Sequence, residues 1–289
     1  MCTLEKRGSL FILTFIGDGE HRLSPTLIDS VLSALCEVKS KATRGSVLIT
    51  TSQGKFFSNG FDLAWAKAAG SSSKAMERLH HMVVSFKPVV AELISLPMPT
   101  VAAIQGHAAA AGFLLALSHD YILMRSDKGV LYMSEVDLGL RLPDYFAAVF
   151  RAKLHAISAR RDVLLGGAKV KGEQAVRMGI VDAAYDSEGS LAEAATRLGE
   201  ELASRKWNGD VYKEIRTSLY PDLCGVLGLG SIKLRNSAFY NKNMDRTCHL
   251  AAAQIKSQTV LHLPKYNMHA SSILRKECKT TYAVQGKMP

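Results

Sequence analysis

The spacing of apolar and polar positions predicts strands that alternate with helices along most of the chain. The residues before Gly17 begin with charges and end in a β-branched, aromatic and aliphatic run, 10–16, which predicts one first strand. Ser24 and Pro25 then open an amphipathic run, typical of a helix with Ser24 as its N-cap and Pro25 at its first position. Residues 46–51 are apolar enough to predict a strand buried on both faces.

The same alternation continues through the middle of the sequence. Residues 73–95 have helical periodicity, although Pro88 is expected to kink or interrupt that helix. A strand is predicted at 100–104, a small-residue helix at 108–116 and a fourth strand at 121–124. Because strand, Gly-containing loop and helix recur, we expect an α/β fold with right-handed crossovers and with function at the loops between strands and helices.

Composition and charge exclude several classes of protein. With 47% hydrophobic and 21% charged residues, the chain is unlike a disordered or collagen-like sequence. Its net charge of +10 is unevenly spread: residues 1–220 hold 26 Lys and Arg against 23 Asp and Glu, whereas 221–289 hold 10 against 3. The basic residues of the tail are scattered, so the sequence does not favour nucleic acid as a partner.

Cysteines, histidines and apolar runs predict neither a metal site nor a membrane span. The 5 cysteines form no CxxC pair, and neighbouring His80 and His81 have no third ligand at a metal-like spacing. The longest apolar stretch, 108–118, is far shorter than the roughly 20 residues needed to cross a bilayer. The apolar run at the N-terminus is also too short for a secretory leader. We therefore expect a soluble, intracellular protein with reduced thiols.

Four segments carry a resemblance to a known family. They are residues 54–63, 99–108, 133–139 and 173–182. In this order and spacing they resemble the crotonase (enoyl-CoA hydratase/isomerase) superfamily, and within it most of all the plant peroxisomal Δ3,Δ2-enoyl-CoA isomerases. The resemblance covers about residues 4–220.

The resemblance implies an α/β fold that is a crotonase-like spiral of ββα turns with a C-terminal helical region. We expect the spiral core at 1–200, the helical region at 201–230 and an atypical basic tail at 231–289. Residues 223–230, rich in glycine, replace the helical finish that the family leads one to expect. Poor order is one interpretation of the tail, and an altered splice or gene model is another. The family also implies a homo-oligomer, either a trimer or a hexamer.

Activity and site residues follow from the resemblance as well. Family members bind an acyl-CoA thioester, and two backbone N–H groups hold its thioester oxygen; by position, these are the amides of Phe61 and Ala111. Such amides stabilise the charge that develops on oxygen when a neighbouring proton is removed. The substrate-binding residues expected around them are Ser58, Gly60, Asp62, Leu63, Gly112 and Leu114.

The number of carboxylates distinguishes two reactions within the family. Hydratases use two glutamates, whereas this sequence has Leu114 at the first position and Glu135 at the second. One base is enough to remove a proton from C2 and return it at C4, so an isomerase is favoured and Glu135 is its predicted proton shuttle. Apolar Phe113 and Leu114 are expected to keep water away and to raise the pKa of Glu135. No cofactor is expected, because CoA is part of the substrate.

Several alternatives remain open at this stage. The protein could be an enoyl-CoA hydratase, another crotonase-type acyl-CoA enzyme or a non-catalytic acyl-CoA-binding homologue. Phe61, Trp65, Tyr145 and Phe146 are candidates for the acyl pocket, with core packing as the alternative. Plant relatives end in a tripeptide of the Ser-Lys-Leu kind, whereas this sequence ends in Pro289. By resemblance we expect the peroxisome, and otherwise the cytosol.

Overall fold

The computed structural model describes residues 1–17 and 19–230; the tail predicted at 231–289, with every interpretation of it, lies outside the described residues. The strands are β1 (Cys2–Arg7), β2 (Leu10–Phe15), β3 (Val47–Ser52), β4 (Phe56–Ser58), β5 (Thr100–Ile104), β6 (His107–Ala109), β7 (Tyr121–Arg125), β8 (Val130–Tyr132), β9 (Val170–Lys171) and β10 (Ala183–Tyr185). The helices are α1 (Pro25–Ser40), α2 (Leu63–Lys67), α3 (Ser72–Ser95), α4 (Ala111–Leu117), α5 (Glu135–Leu138), α6 (Asp144–Lys153), α7 (Ile157–Leu164), α8 (Gly172–Arg177), α9 (Glu188–Ser204), α10 (Gly209–Leu219) and α11 (Pro221–Leu227).

The strands form two sheets. One has the order β1-β2-β3-β5-β7-β10 and is antiparallel only between β1 and β2; the other has the order β4-β6-β8-β9 and is antiparallel only between β8 and β9. Three successive strand pairs, β3 with β4, β5 with β6 and β7 with β8, each give one strand to each sheet before the chain turns helical. The predicted spiral of ββα turns is therefore confirmed.

The larger sheet is covered on both faces. Val101 and Ala103 of β5 pack in one cluster with Leu191 of α9, whereas Ala102 and Ile104 belong to the larger core that includes α1 and α3. Since successive residues of a strand point to opposite faces, each apolar residue of β5 is buried on one side or the other. This is why the predicted strands read as continuous apolar runs.

Two predictions near strands are wrong. The N-terminus is a hairpin of β1 and β2 rather than one strand, because residues 2–7 pair with 10–15 as an edge strand whose side chains are mostly exposed. The predicted helix 108–116 starts too early, because Ala108 pairs with both β4 and β8, and the helix begins only at Ala111. Cross-strand pairing decides both cases, and local composition does not report it.

Two helices continue where an interruption was predicted. α3 runs unbroken through Pro88. A proline cannot bond the carbonyl four residues earlier, here that of Val84, but Val84 is 53% exposed and water reaches that face. At 221–227 the chain is helical despite Gly225, with Leu223 and Leu227 buried in the main core. Burial there outweighs the low helix propensity of glycine.

Helices α9, α10 and α11 lie around the domain boundaries drawn from sequence. The boundary predicted after residue 200 falls inside α9, and α10 and α11 lie within 201–230. Among the described residues, none of the helices combines the length and the apolar character that a membrane crossing would require.

Candidate active site

The first predicted oxyanion donor, the amide of Phe61, follows β4. The Leu23 amide donates to the Gly60 carbonyl at 2.7 Å, and the Asp62 amide donates to the Leu23 carbonyl at 3.4 Å. Together these bonds make Leu23 and Phe61 a parallel bridge. In such a bridge the peptide groups on either side of Phe61 are used, so the Phe61 N–H is turned away from Leu23.

The second predicted donor, the amide of Ala111, opens α4. The preceding residue, Ala110, has φ +49° and ψ −120°, a conformation that costs a non-glycine residue about 1–3 kcal/mol. Its own amide is held by the Tyr132 carbonyl at 2.9 Å. Within the described residues, neither the Phe61 nor the Ala111 amide donates a hydrogen bond, in keeping with the free N–H groups of a first helical turn.

Two glycines bring these segments together. A Cβ at Gly60, which has φ +71°, would lie 3.6 Å from the Ala111 nitrogen and 3.1 Å from the Ala109 carbonyl oxygen. A Cβ at Gly112 would lie 2.3 Å from the Ser58 carbonyl oxygen, well inside van der Waals contact. The two predicted amides therefore lie on adjoining segments that only glycine allows to approach so closely.

Glu135 is the first residue of α5. Its Oε2 atom is buried and has no hydrogen-bond partner among the described residues. Burial raises the pKa of Glu135 above its ordinary value, and backbone hydrogen bonds offset part of that rise. A half-buried carboxyl group with one buried, unpaired oxygen and a raised pKa is suited to carrying a proton.

Phe61 and Glu135 line one open cleft of about 950 Å³. Its walls come from α3 and from the segment that leads into α6, and most of the lining side chains are apolar. The apolar lining consists of Phe61, Met76, Leu79, Val83, Leu140, Leu142, Pro143 and Phe146. A cleft of this size and lining suits a ligand with a long apolar part.

The predicted substrate-binding residues surround the amides rather than this cleft. Ser58 is fully buried and its hydroxyl donates to the His21 carbonyl at 2.8 Å, whereas Leu114 is fully buried in α4. Asp62 is the N-cap of α2 and accepts from the Trp65 amide at 2.9 Å, while Leu63 is the first residue of that helix. None of these four, nor Gly60 or Gly112, lines the cleft.

Of the aromatic candidates for the acyl pocket, the structure brings Phe61 and Phe146 together. Their ring centroids are 6.2 Å apart and both line the cleft. Tyr145 is buried and its hydroxyl donates to the Val83 carbonyl at 2.8 Å, which ties α6 to α3. Trp65 lies elsewhere, with the Arg78 guanidinium 4.8 Å from its ring centroid.

Sequence reasoning missed the α3 wall and the charged rim of the cleft. The apolar positions 76, 79 and 83 were visible as helical periodicity, but nothing in the pattern indicated that they face a cleft rather than the core. Two carboxylates besides Glu135, those of Glu77 and Asp144, also line it, and both residues are exposed. Among the described residues, no cluster of His, Cys, Asp or Glu could hold a metal ion.

Comparison with known proteins agrees with this architecture. The chain is 66% identical to the peroxisomal enoyl-CoA delta isomerase 2 of Arabidopsis thaliana over 230 residues, which are 79% of this chain and 96% of that protein. It is 54% identical to the peroxisomal enoyl-CoA delta isomerase 1 of the same plant over 220 residues, 76% of this chain and 89% of that protein.

Solved structures share the fold at low sequence identity. An enoyl-CoA hydratase from Mycobacterium marinum superposes with a TM-score of 0.67 at 21% identity, covering 80% of this chain and 96% of its own. An enoyl-CoA hydratase from Bacillus halodurans gives 0.66 at 20% identity, covering 78% and 92%. A model of the enoyl-CoA hydratase/isomerase family matches residues 19–220, and with the plant relatives it shows that the chain belongs to this family.

Proposed function

We propose that the protein is an isomerase that converts 3-enoyl-CoA to trans-2-enoyl-CoA in the β-oxidation of unsaturated fatty acids. The observation that carries the proposal is the carboxyl group of Glu135: its Oε2 atom is buried without a hydrogen-bond partner among the described residues, and Glu135 lines the apolar cleft together with Phe61. The high identity to two plant enoyl-CoA delta isomerases supports the same reaction.

The reaction needs one base and one anion-binding device. Glu135 removes a proton from C2 of the 3-enoyl thioester, and the electron pair moves onto the thioester oxygen as the double bonds conjugate. The amides of Phe61 and Ala111 donate to that oxygen and stabilise its charge, each contributing about a hundred- to thousandfold in rate. Glu135 then returns the same proton to C4, which leaves the double bond between C2 and C3. No water is consumed and no cofactor takes part.

The other predicted residues have supporting roles in this proposal. Gly60 and Gly112 allow the two amide segments to approach, and Ser58 fixes the strand behind them. Asp62 and Leu63 contact the CoA moiety beyond the thioester. Leu114, buried where a hydratase of the family would carry the first of its two glutamates, leaves no group there to activate water.

A paired assay tests the proposal. Wild-type protein should isomerise 3-enoyl-CoA and show little hydration of 2-enoyl-CoA, and Glu135→Gln should lower isomerisation by about a hundredfold or more. Glu77→Gln is the matched control, because Glu77 is an exposed carboxylate of the same cleft and should leave the rate unchanged. Wild-type turnover in the Glu135 variant, or hydration as fast as isomerisation, would contradict the proposal. Tight acyl-CoA binding without any turnover would favour a non-catalytic homologue.

Assembly and location form part of the proposal. We infer a homo-oligomer, a trimer or a hexamer, which light scattering of the purified protein tests; a monomer at assay concentration would refute it. Two relatives carry the word peroxisomal in their names, and we propose the same organelle for this protein. Immunolocalisation of the native protein checks that assignment.

A further inference from the structure

The cleft follows helix α3 away from Phe61. Phe61 and Glu135 both line it, and the Phe61 ring contacts Phe86 of α3 edge-on, with ring centroids 5.7 Å apart. From Phe86 towards the start of α3, the apolar lining residues are Val83, Leu79 and Met76. Their spacing of three and four residues places them on one face of the helix. At 1.5 Å per residue they lie about 4, 10 and 15 Å from Phe86.

The wall that faces α3 adds further apolar side chains to the cleft, while the exposed Arg141 and Asp144 lie at its solvent side. Leu140 and Leu142 line it opposite α3, as does Phe146. The Tyr145 hydroxyl donates to the Val83 carbonyl at 2.8 Å, so the two walls are joined at the level of Val83. Met76, by contrast, is 58% exposed, which shows that the cleft opens to solvent at its far end.

We propose that Val83, Leu79 and Met76 measure the acyl chain, so that the substrates of this enzyme are medium- to long-chain 3-enoyl-CoA thioesters. The inference rests on the proposed function, because Phe61 and Glu135 fix where the reacting carbons lie. Carbons beyond the double bond then contact Val83 first, Leu79 next and Met76 last. An extended chain gains about 1.2 Å per bond, a third of the rise of an extended residue. A cleft of about 15 Å therefore accommodates roughly twelve carbons beyond the reacting ones.

The apolar lining gives the expected size of the effect. Each methylene that is buried favours binding about fourfold. Wild-type kcat/KM should therefore rise at least tenfold from 3-hexenoyl-CoA to 3-decenoyl-CoA, since the longer chain extends about 7 Å beyond the double bond, past the level of Val83. A side chain that fills the cleft at a given level removes this gain only for chains long enough to reach it.

Tryptophan substitutions at successive positions along α3 test whether these residues determine the preferred chain length. Val83→Trp should lower the ratio of kcat/KM for 3-decenoyl-CoA over 3-hexenoyl-CoA at least tenfold. Met76→Trp should lower the ratio for 3-hexadecenoyl-CoA over 3-decenoyl-CoA by a similar factor and keep the first ratio within twofold. Val84→Trp is the control, because Val84 is on the same helix, 53% exposed and outside the cleft; both ratios should match wild type.

Other outcomes distinguish a failure of the chain-length proposal from a failure of the proposed function. The chain-length proposal would be overturned if folded variants lost kcat/KM equally for all three substrates, or if the wild-type enzyme had the same kcat/KM for all of them. Either result would leave the isomerase assignment in place. Absence of isomerisation with every substrate in wild type would instead overturn the proposed function. If circular dichroism shows that Val83→Trp does not fold, Leu79→Trp takes its place, with the same loss expected in the ratio of 3-hexadecenoyl-CoA over 3-hexenoyl-CoA.

Discussion

Gly60 and Ala111 lie against each other: a Cβ at position 60 would lie 3.6 Å from the Ala111 nitrogen. Gly60 also has φ +71°, in the left-handed region that L side chains rarely adopt. The residue that precedes the Phe61 amide therefore sets both the direction of its own chain and the distance to the second amide. Local changes at Gly60 should therefore act on catalysis as well as on folding.

Gly60→Ala is the first test of this relationship. Alanine at positive φ costs about 1–2 kcal/mol of unfolding free energy, and the added Cβ would also press on Ala109 and Ala110. We expect kcat for isomerisation to fall at least tenfold because the two amides are displaced. Gly179→Ala is the matched control, since Gly179 has φ +64° with nothing within 4 Å. It should show a similar loss of stability and unchanged kcat; equal kcat in both variants would refute the argument.

Gly112→Ala probes the second contact, where α4 rests on β4. Its Cβ would lie 2.3 Å from the Ser58 carbonyl oxygen, so backbone must shift. We expect a loss of about 1–3 kcal/mol in unfolding free energy, as for other overpacked sites, and a fall in kcat because Ala111 moves with the helix. Gly225→Ala, in a helix with nothing within 4 Å of the new Cβ, should instead stabilise the protein by about 0.5–1 kcal/mol. Chemical denaturation measures both values.

The pH dependence of the rate follows from the environment of Glu135. Burial raises the pKa of Glu135, and only its ionised form can remove the C2 proton. Isomerisation should therefore rise with pH through the raised pKa, and the acid limb should lie above the value of about 4.3 for a free glutamate. A profile of kcat/KM against pH checks this expectation. Glu77→Gln should show the same acid limb as wild type. A shifted limb in that variant would mean that the limb reports Glu77 rather than Glu135.

The same shift predicts a cost in stability. Below the pKa of an unfolded glutamate, Glu135 is protonated in both states and contributes nothing to pH dependence. As pH rises towards the raised folded pKa, the unfolded state loses its proton first, so stability falls and then stays lower. Glu135→Gln should therefore have a higher unfolding free energy than wild type at about pH 7.5, and the difference should shrink towards about pH 4. Urea denaturation at the two pH values measures it; a less stable variant at neutral pH would contradict the argument.

Local sequence patterns were sufficient to predict features that depend only on residues within one helix or strand. Ser24 caps α1, accepting from the Leu27 amide at 3.3 Å, because the capping bond joins residues three apart. The buried strand β3 likewise follows from its continuous apolar run. Such features depend on spacing within one element, so they could be predicted from the sequence.

The parts that depend on distant pairing could not be predicted. Ala108 reads as helix by composition, yet β4 and β8 pair with it as a strand. Val83 and Leu79 read as one apolar helix face, yet that face borders a cleft because the Tyr145 hydroxyl holds α6 beside it. Conversely, the close approach of Gly112 to Ser58 explains a small residue that sequence reasoning assigned only by resemblance.

Arg216 shows how the C-terminal helices are fastened to the core. It is the buried residue of α10, 3% exposed, and its guanidinium donates to Asp120 at 2.8 and 2.5 Å. It also donates to the Leu96 carbonyl at 2.7 Å, just past the end of α3, where carbonyls have no partner within the helix. Asp120 in turn accepts from the Thr100 amide at 3.0 Å, so one ion pair joins α10, α3 and β5.

Arg216→Met should therefore destabilise the protein strongly. It leaves Asp120 as an unpaired, largely buried charge, and breaking such a pair costs about 3–5 kcal/mol of unfolding free energy. Arg216→Lys should lose less, since it keeps the charge but not the planar fork that binds both carboxylate oxygens.

The control is Glu37→Gln, which breaks the exposed pair with Lys41 and should cost no more than about 0.5 kcal/mol. Because Arg216 does not line the cleft, folded Arg216→Lys should isomerise at the wild-type rate. A loss below 1 kcal/mol in Arg216→Met, measured by chemical denaturation, would show that α10 is held by apolar packing instead.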